Sequence, residues 1–499
     1  VKNASRKLLL GIDLGTTGVR AAAIDEDGAI VADASEPCPP DTQAPDRAET
    51  DAEAWWRATC SLTARLAARI SLDRVEAVGV SGQAPTAVLV DANGATLRPA
   101  LLWLDVRAKA EARALEARLG PGRAEAIGGN RVHAYYLGPK LAWLRAHEPE
   151  LLDRASLVLQ SHAFVAMRLT GVAACEPSTA MLCTPLFDAS AGDWSDEGAS
   201  AVGVKAGALP RVLRSHDVLG AVTRAAASAT GLRVGTPVVA GAGDFAASAL
   251  AAGVLDQGEA CLTLGTAGNL TMPMDHPRFD SRLVNSHHAG CARWLALGGT
   301  LCGAALEWFR RTCAPGVAWE ALEAEAAAVP TGADGVIALP YLQGERTPIW
   351  DEGASGVFAG LRLVHGRGHM YRALLEGIAL GFRASLSVAE ETGVHVEQVL
   401  AVEGGGASAT LRQACSDALG VPVVWVRGAG SSVAGAALLA GIGAGVLPGA
   451  HVARAWLRKL EGLANPSDIA RHSPDGRAHE HFQKALARRT GLYAAMRSA

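Results

Sequence analysis

Apolar and polar positions alternate in short blocks at the start of this chain. Residues 7–13 form an apolar run closed by Asp13, and residues 19–24 form a second. A glycine-threonine turn lies between them, and the Asp-Glu-Asp-Gly of 25–28 separates the second run from a third at 29–32. Runs of this length between turn residues predict strands, and their close spacing predicts a β-meander. Residues 52–70 predict a helix, with Asp51 placed as its cap and Trp55 and Trp56 early on it. A strand at 75–80, a loop at 81–86 and a strand at 87–91 follow, the last ending at Asn93-Gly94. Strands and helices then alternate, which predicts an α/β architecture.

One pattern recurs. Leu-Gly-Thr-Thr-Gly at 14–18 returns as Leu-Gly-Thr-Ala-Gly at 264–268, each time after an apolar strand. Two homologous halves, each opening on a glycine-threonine hairpin, account for this. The expected domains are 1–247 and 248–448, with a helical tail at 449–499 after the Pro448-Gly449 breaker. The weakly polar stretch 433–447 is too short for a membrane span, which needs about 20 apolar residues. Its glycines at 435, 441, 443 and 445 predict a buried helix that another element approaches closely.

Composition narrows the function. The 499 residues are 49% hydrophobic, so the chain buries large cores. A formal charge of −4 lacks the basic excess expected of a nucleic-acid partner. The nine cysteines are scattered singly, which fits reduced and mostly buried thiols. The opening residues lack the apolar length of a secretory leader. The expected setting is the cytoplasm, with no membrane partner.

Four segments carry candidate chemistry. In the first, 13–20, glycines let a turn approach a ligand and aim its N–H groups at one point. Gly15, Thr16, Thr17 and Arg20 suit a phosphate, and Asp13 suits a hydrated Mg²⁺ ion. An ordinary hairpin with an aspartate beside it fits equally. The second, 264–269, repeats the logic with Gly265 and Thr266, and carries the same alternative. In the third, 238–253, a strand ends at Asp244 where a helix begins. That aspartate is either the helix cap or a general base that takes a hydroxyl proton during phosphoryl transfer. In the fourth, 402–420, a strand, three glycines and an amphipathic helix suit a flat ring or a phosphate. No P-loop of the Gly-Lys type is present.

Taken together, these segments resemble the FGGY carbohydrate kinases, and the xylulokinase branch most. The likeness runs through GIDLGTTGVRAAAID from Gly11, TDAEAWW from Thr50, SGQ from Ser81 and PALLWLD from Pro99. It continues with GAGD from Gly241, GEACLTLGTAGN from Gly258, PYLQGERTPIWD from Pro340 and GVFAGL from Gly356. RALLEGIALGFR from Arg372, EGGGAS from Glu403 and GSSVAGAALLAG from Gly430 complete it.

The resemblance implies two ribonuclease-H-like domains, related to actin and hexokinase, with a hinge and a deep cleft. It implies MgATP as phosphate donor and a small sugar or polyol as acceptor, and leaves room for a homodimer. By that likeness Asp13, Gly15, Thr16, Thr17, Arg20, Gly265 and Thr266 hold phosphates and metal. Gly405, Gly406 and Ala407 line the adenosine pocket. Asp244 is the base and a second metal contact. Gln83, Ala84, Trp103, Asp105, Tyr135 and Asp244 meet the substrate.

The likeness breaks at one place. Typical xylulokinases continue SGQ with Met-His-Gly, where this chain has Ala84, Pro85 and Thr86. The Arg-Glu pair of glycerol kinases is absent there too. D-Xylulose or a related ketose remains the first expectation, with a linear polyol, another ketose or a sugar acid as the alternative. A catalytically idle sugar or ATP sensor is disfavoured by the intact carboxylates and hairpins. A dinucleotide oxidoreductase built on 404–409 is disfavoured because the next strand, 421–426, ends in Arg427 and not in an acid.

Overall fold

A computed structural model describes residues 6–42, 44, 46–402 and 408–497. The chain forms two compact units, each assembled from separate segments. The first comprises 1–255, 285–294 and 430–460, and the second 256–284, 295–429 and 461–499.

The expected meander opens the first unit. Its sheet runs in the order Ile30–Pro37, Gly18–Asp25, Leu8–Leu14, Val75–Gly82, Pro237–Val239, Val218–Ala221. Leu8–Leu14 pairs antiparallel with Gly18–Asp25 and parallel with Val75–Gly82. Leu8, Leu9, Leu10 and Ile12 are all fully buried, because helices cover both faces of this central strand. The first helix spans Ala52–Ala67, and Asp51 caps it by accepting from the Glu53 N–H at 3.0 Å.

The second unit repeats the topology. Its strands run Trp294–Leu301, Ala267–Met274, Gly258–Leu264, Val396–Val402, Val423–Val426, Ile469–His472. Gly258–Leu264 again pairs antiparallel with the strand that follows it and parallel with its neighbour on the other side, Val396–Val402. The five-residue recurrence thus marks the same corner of two equivalent sheets. The long helix Arg367–Glu391 lies against the helix Ala409–Leu419 and the strand Ile337–Leu339.

The glycine-rich stretch near residue 440 forms the buried helix Ser432–Gly443. It lies on the first unit's sheet, over Leu8–Leu14 and Val75–Gly82. A Cβ on Gly11 would stand 2.0 Å from the Val433 carbonyl oxygen, and one on Gly79 would stand 2.0 Å from that of Ala436. The helix also meets Asp244–Ala251, where a Cβ on Gly435 would stand 2.0 Å from the Ala247 oxygen. Backbone thus packs on backbone at all three contacts.

The segment beyond Pro448 is divided between the units. The helix Val452–Leu463 leads from the first, where Trp456 Nε1 donates to the Glu26 carbonyl at 3.2 Å. The strand Ile469–His472 completes the second sheet, and the helix Gly476–Arg497 buries Phe482 and Arg489 in the second unit. Among the described residues no helix is long and apolar enough to cross a membrane. Six of the nine cysteines are buried.

Candidate active site

Strand register builds the first unit's site. Asp13 lies opposite Ser81, and Leu14 opposite Gly82, in the parallel pair. On the far side of that strand, Ala242 lies opposite Ser81 and Gly243 opposite Gly82. Three neighbouring strands therefore end in one row, Leu14–Gly82–Gly243. The residues just past it are Gly15, Gln83 and Asp244. Strand spacing sets the backbones of Leu14 and Gly243 roughly 10 Å apart.

Asp13 is almost fully buried, and one carboxylate oxygen accepts from Ser81 Oγ at 2.8 Å. Burial pushes its carboxyl above the usual range, while hydrogen bonds from Ser81 and Ser432 and the charge of Arg20 oppose the shift. Arg20 is its direct partner across the hairpin. The hairpin tip leaves Thr17 exposed and Gly15 and Thr16 half-buried. The third strand passes close behind, so a Cβ on Gly18 would come within 2.8 Å of the Glu36 oxygen.

Asp244 is half-buried and opens the helix Asp244–Ala251. The cap position belongs to Gly243, so Asp244 is not the cap that the sequence left as an alternative. Its Oδ1 accepts from the Phe245 N–H at 2.7 Å, within the first turn, where the helix dipole favours a negative charge. Sequence reasoning missed the brace behind it. The Gly243 N–H donates to Ser178 Oγ at 3.0 Å. Buried Glu176 in turn accepts from the Ser178 N–H at 2.7 Å, from Ser178 Oγ at 2.9 Å and from Ser215 Oγ at 3.2 Å. The acid-Pro-Ser order at 176–178, a helix-start pattern, was the available signal.

A second set of residues flanks the hairpin. The Gln83 N–H donates to the Leu14 oxygen at 2.9 Å, and its Nε2 approaches the Gly15 oxygen at 3.3 Å. Its Oε1 is buried with no hydrogen-bond partner among the described residues. Trp103 Nε1 donates to Thr16 Oγ1 at 3.0 Å. The Trp103 ring meets Tyr135 edge-on, with centroids 6.4 Å apart, and Tyr135 Oη donates to the Ala84 oxygen at 3.3 Å. Gln83, Ala84, Trp103 and Tyr135 therefore form one connected group with the hairpin.

Asp105 occupies a different position. It is fully buried, accepts from the Arg107 guanidinium through both oxygens and takes the Ala48 N–H at 2.9 Å. Its carboxylate is an internal acceptor that shapes its own loop. Lys140 fixes that loop to the next. Its Nζ donates to the carbonyls of Asp105, Ala134 and Tyr135 at 2.8, 2.8 and 2.7 Å.

In the second unit the hairpin at 264–268 is tied from behind. The Gly265 oxygen accepts from the Gly303 N–H at 2.9 Å, and the Thr266 oxygen from the Ala304 N–H at 3.1 Å. In a trans peptide the C=O and the following N–H point in opposite directions. These bonds therefore aim the N–H groups of Thr266 and Ala267 away from Gly303, as a phosphate-binding turn requires. Gly405, Gly406 and Ala407 lie outside the described residues. The strand and helix expected around them are present as Val396–Val402 and Ala409–Leu419, the latter capped by Ser408 Oγ.

Two further observations fix the family. Residues 8–251 match the FGGY family of carbohydrate kinases, N-terminal domain, and residues 260–444 match its C-terminal domain. The chain belongs to the FGGY family of carbohydrate kinases. It is 35% identical over 447 residues to a xylulose kinase of Escherichia coli, covering 88% of this chain and 90% of that one. A xylulose kinase of Bacillus subtilis is 31% identical over 463 residues, covering 92% and 90%. The crystal structure of a xylulose kinase from Rhodospirillum rubrum superposes with a TM-score of 0.88 at 32% identity, covering 99% of each chain. This FGGY protein is therefore a carbohydrate kinase with a small-molecule sugar substrate, and its two repeated sheets are the actin- and hexokinase-like halves of that family.

Proposed function

We propose that this kinase transfers the γ-phosphate of MgATP to a hydroxyl of a small ketose, D-xylulose or a related pentulose, with Asp244 as general base. The observation that carries the reading is the strand register that sets Asp244 one residue beyond the row shared with the Gly15 hairpin. The identity to xylulose kinases supports the choice of ketose.

In this mechanism Gln83, Trp103 and Tyr135 hold the sugar beside the hairpin. Its hydroxyl proton passes to the Asp244 carboxylate as the oxygen bonds to the γ-phosphorus. The bond from that phosphorus to the β-phosphate bridging oxygen breaks, and ADP leaves. The exposed Thr17 and Arg20 and the N–H groups of Thr266 and Ala267 suit the phosphate oxygens. Asp13 fits a hydrated Mg²⁺ ion, because a dry carboxylate pushed toward protonation gains from a nearby cation. Asp244 is the second carboxylate for that ion. When bound, the ion supplies neutralising charge to the phosphates. The family setting supports a cytoplasmic enzyme.

A second reading rests on Ala84. Its small side chain stands where typical xylulokinases carry methionine, which suits a linear polyol, another ketose or a sugar acid. Coupled ADP release over pentuloses, hexuloses, sugar acids and C3 to C6 polyols decides between them. The highest kcat/KM is expected with D-xylulose. A clear preference for a polyol or sugar acid would select the second reading, and no turnover with any acceptor would discard both.

A further inference from the structure

The motif PYLQGERTPIWD contributes nothing to the groups described above, yet it holds a cluster of buried charge in the second unit. Glu345 is buried, and its two oxygens accept from Thr300 Oγ1 at 2.7 Å and from the Arg346 N–H at 2.9 Å. The next two residues grip Ala267–Met274, the second strand of the 264–268 hairpin, and Trp294–Leu301 beside it. Arg346 Nη2 donates to Asn269 Oδ1 at 3.0 Å, and Thr347 Oγ1 donates to the Gly299 oxygen at 3.0 Å. There is no slack at this point, because a Cβ on Gly299 would stand 2.6 Å from Asn269 Oδ1 and 2.7 Å from Arg346 Nη2. The strand of Gly299 and Thr300 ends at Leu301, and the helix Gly303–Cys313 that follows opens with Gly303 and Ala304, whose N–H groups hold the Gly265 and Thr266 carbonyls. Glu345, Arg346 and Thr347 thus reach the hairpin by two routes, through Asn269 on its second strand and through the strand that leads to the residues behind its tip.

A buried cation from the end of the chain joins this cluster through Tyr341 of the same motif. Arg489, on the helix Gly476–Arg497, is buried and is the foremost cation opposing the cost of burying Glu345. Its Cζ lies 5.3 Å from the Tyr341 ring centre, and its Nε and Nη2 make no hydrogen bond among the described residues. Two dry guanidinium N–H groups are costly unless a neighbouring negative charge offsets them. Arg489 therefore calls for a negative charge in this cluster, and Glu345 is the carboxylate whose burial it eases.

We propose that Glu345 is a positioning residue for the 264–268 hairpin, and that Arg489 of the C-terminal helix is the counter-charge that keeps it in place. This rests on the reading of that hairpin as a phosphate clamp for MgATP. The pair touches neither nucleotide nor sugar. It sets the direction of the Thr266 and Ala267 N–H groups through the strand behind them.

The test separates the two substrates in steady-state kinetics of the full-length enzyme. Glu345→Gln keeps the shape and removes the charge, and Arg489→Met keeps the length and removes the charge. Each is expected to raise KM for MgATP about five- to tenfold while KM for the sugar stays within twofold. Arg489→Lys is expected to recover most of the loss. Should Glu345→Gln fail to fold, Thr300→Val removes one donor to Glu345 and is expected to raise the same constant by a smaller factor. Folded variants with an unchanged KM for MgATP would overturn the inference, as would equal rises for both substrates. A wild-type enzyme with no MgATP-dependent turnover would instead remove the functional reading, and this inference with it.

Discussion

Trp103 Nε1 donates a hydrogen bond to Thr16 Oγ1 over 3.0 Å. The bond joins the wall proposed for the sugar to the hairpin proposed for the phosphates, so an adjustment on one side is felt on the other. Trp103→Phe keeps an aromatic face toward Tyr135 and removes the donor. One neutral hydrogen bond contributes about 1 kcal/mol, or roughly fivefold in binding. KM for the sugar and KM for MgATP are both expected to rise by about that factor in initial-rate measurements. A change in the sugar constant alone would show that the bond does not couple the two.

Asp244→Ala removes the proposed base while leaving the Gly243 cap and the Glu176–Ser178 brace in place. Sugar-dependent ADP release is expected to fall at least about a hundredfold, the lower end of general-base contributions. MgATP binding, followed by calorimetry, is expected to persist. A variant that turns over at wild-type rate would refute the assignment.

Gly79 allows the helix Ser432–Gly443 to lie directly on its strand, with no room for a methyl group before the Ala436 oxygen. Gly79→Ala must therefore move the helix or bend the strand. Overpacking of this kind costs about 3 kcal/mol. A lower urea midpoint with an unchanged slope would register it. Gly120→Ala is not an equivalent control, despite the open space around Gly120, because that residue has φ 89°. Gly207, with open space and no such φ, is the proper control and is expected to tolerate alanine.

Lys140 sets a pH dependence on stability. Burial pushes its ammonium down from 10.5 to about 7, with Asp105 opposing the shift and Arg107 adding to it. Between about pH 7 and pH 10 the unfolded chain then binds more protons than the folded one. Stability therefore rises with pH in that window, by at most about 1.4 kcal/mol per unit from this residue, and Lys140 adds no pH dependence below it. Lys140→Met is expected to lose that rise. Chemical denaturation at pH 7, 8 and 9 on both proteins measures the difference.

Local rules made much of this protein legible before any coordinates. Turn residues between short apolar runs gave the meander, and Asp51 gave the start of the first helix. The recurrence of Leu-Gly-Thr gave the two equivalent sheets. These features depend on neighbours in the chain, so the order of residues contains them. The glycines of 435–445 announced a close approach, but not the partner. That the helix Ser432–Gly443 packs on strands more than 350 residues earlier depends on contacts a linear pattern does not hold.

The site divides in the same way. Glycine turns and a strand end picked out Asp13, Thr16 and Asp244 as candidates, and the resemblance to the FGGY kinases added Gln83, Trp103 and Tyr135. Tertiary structure decided what surrounds them. Strand pairing put Asp244 beside the first hairpin, and Arg107 closed the carboxylate of Asp105. Glu176 became a brace behind Asp244, and Arg489 of the C-terminal helix became a buried charge. Whether a charge is solvated or buried depends on what folds over it, and here that is a helix at the far end of the chain.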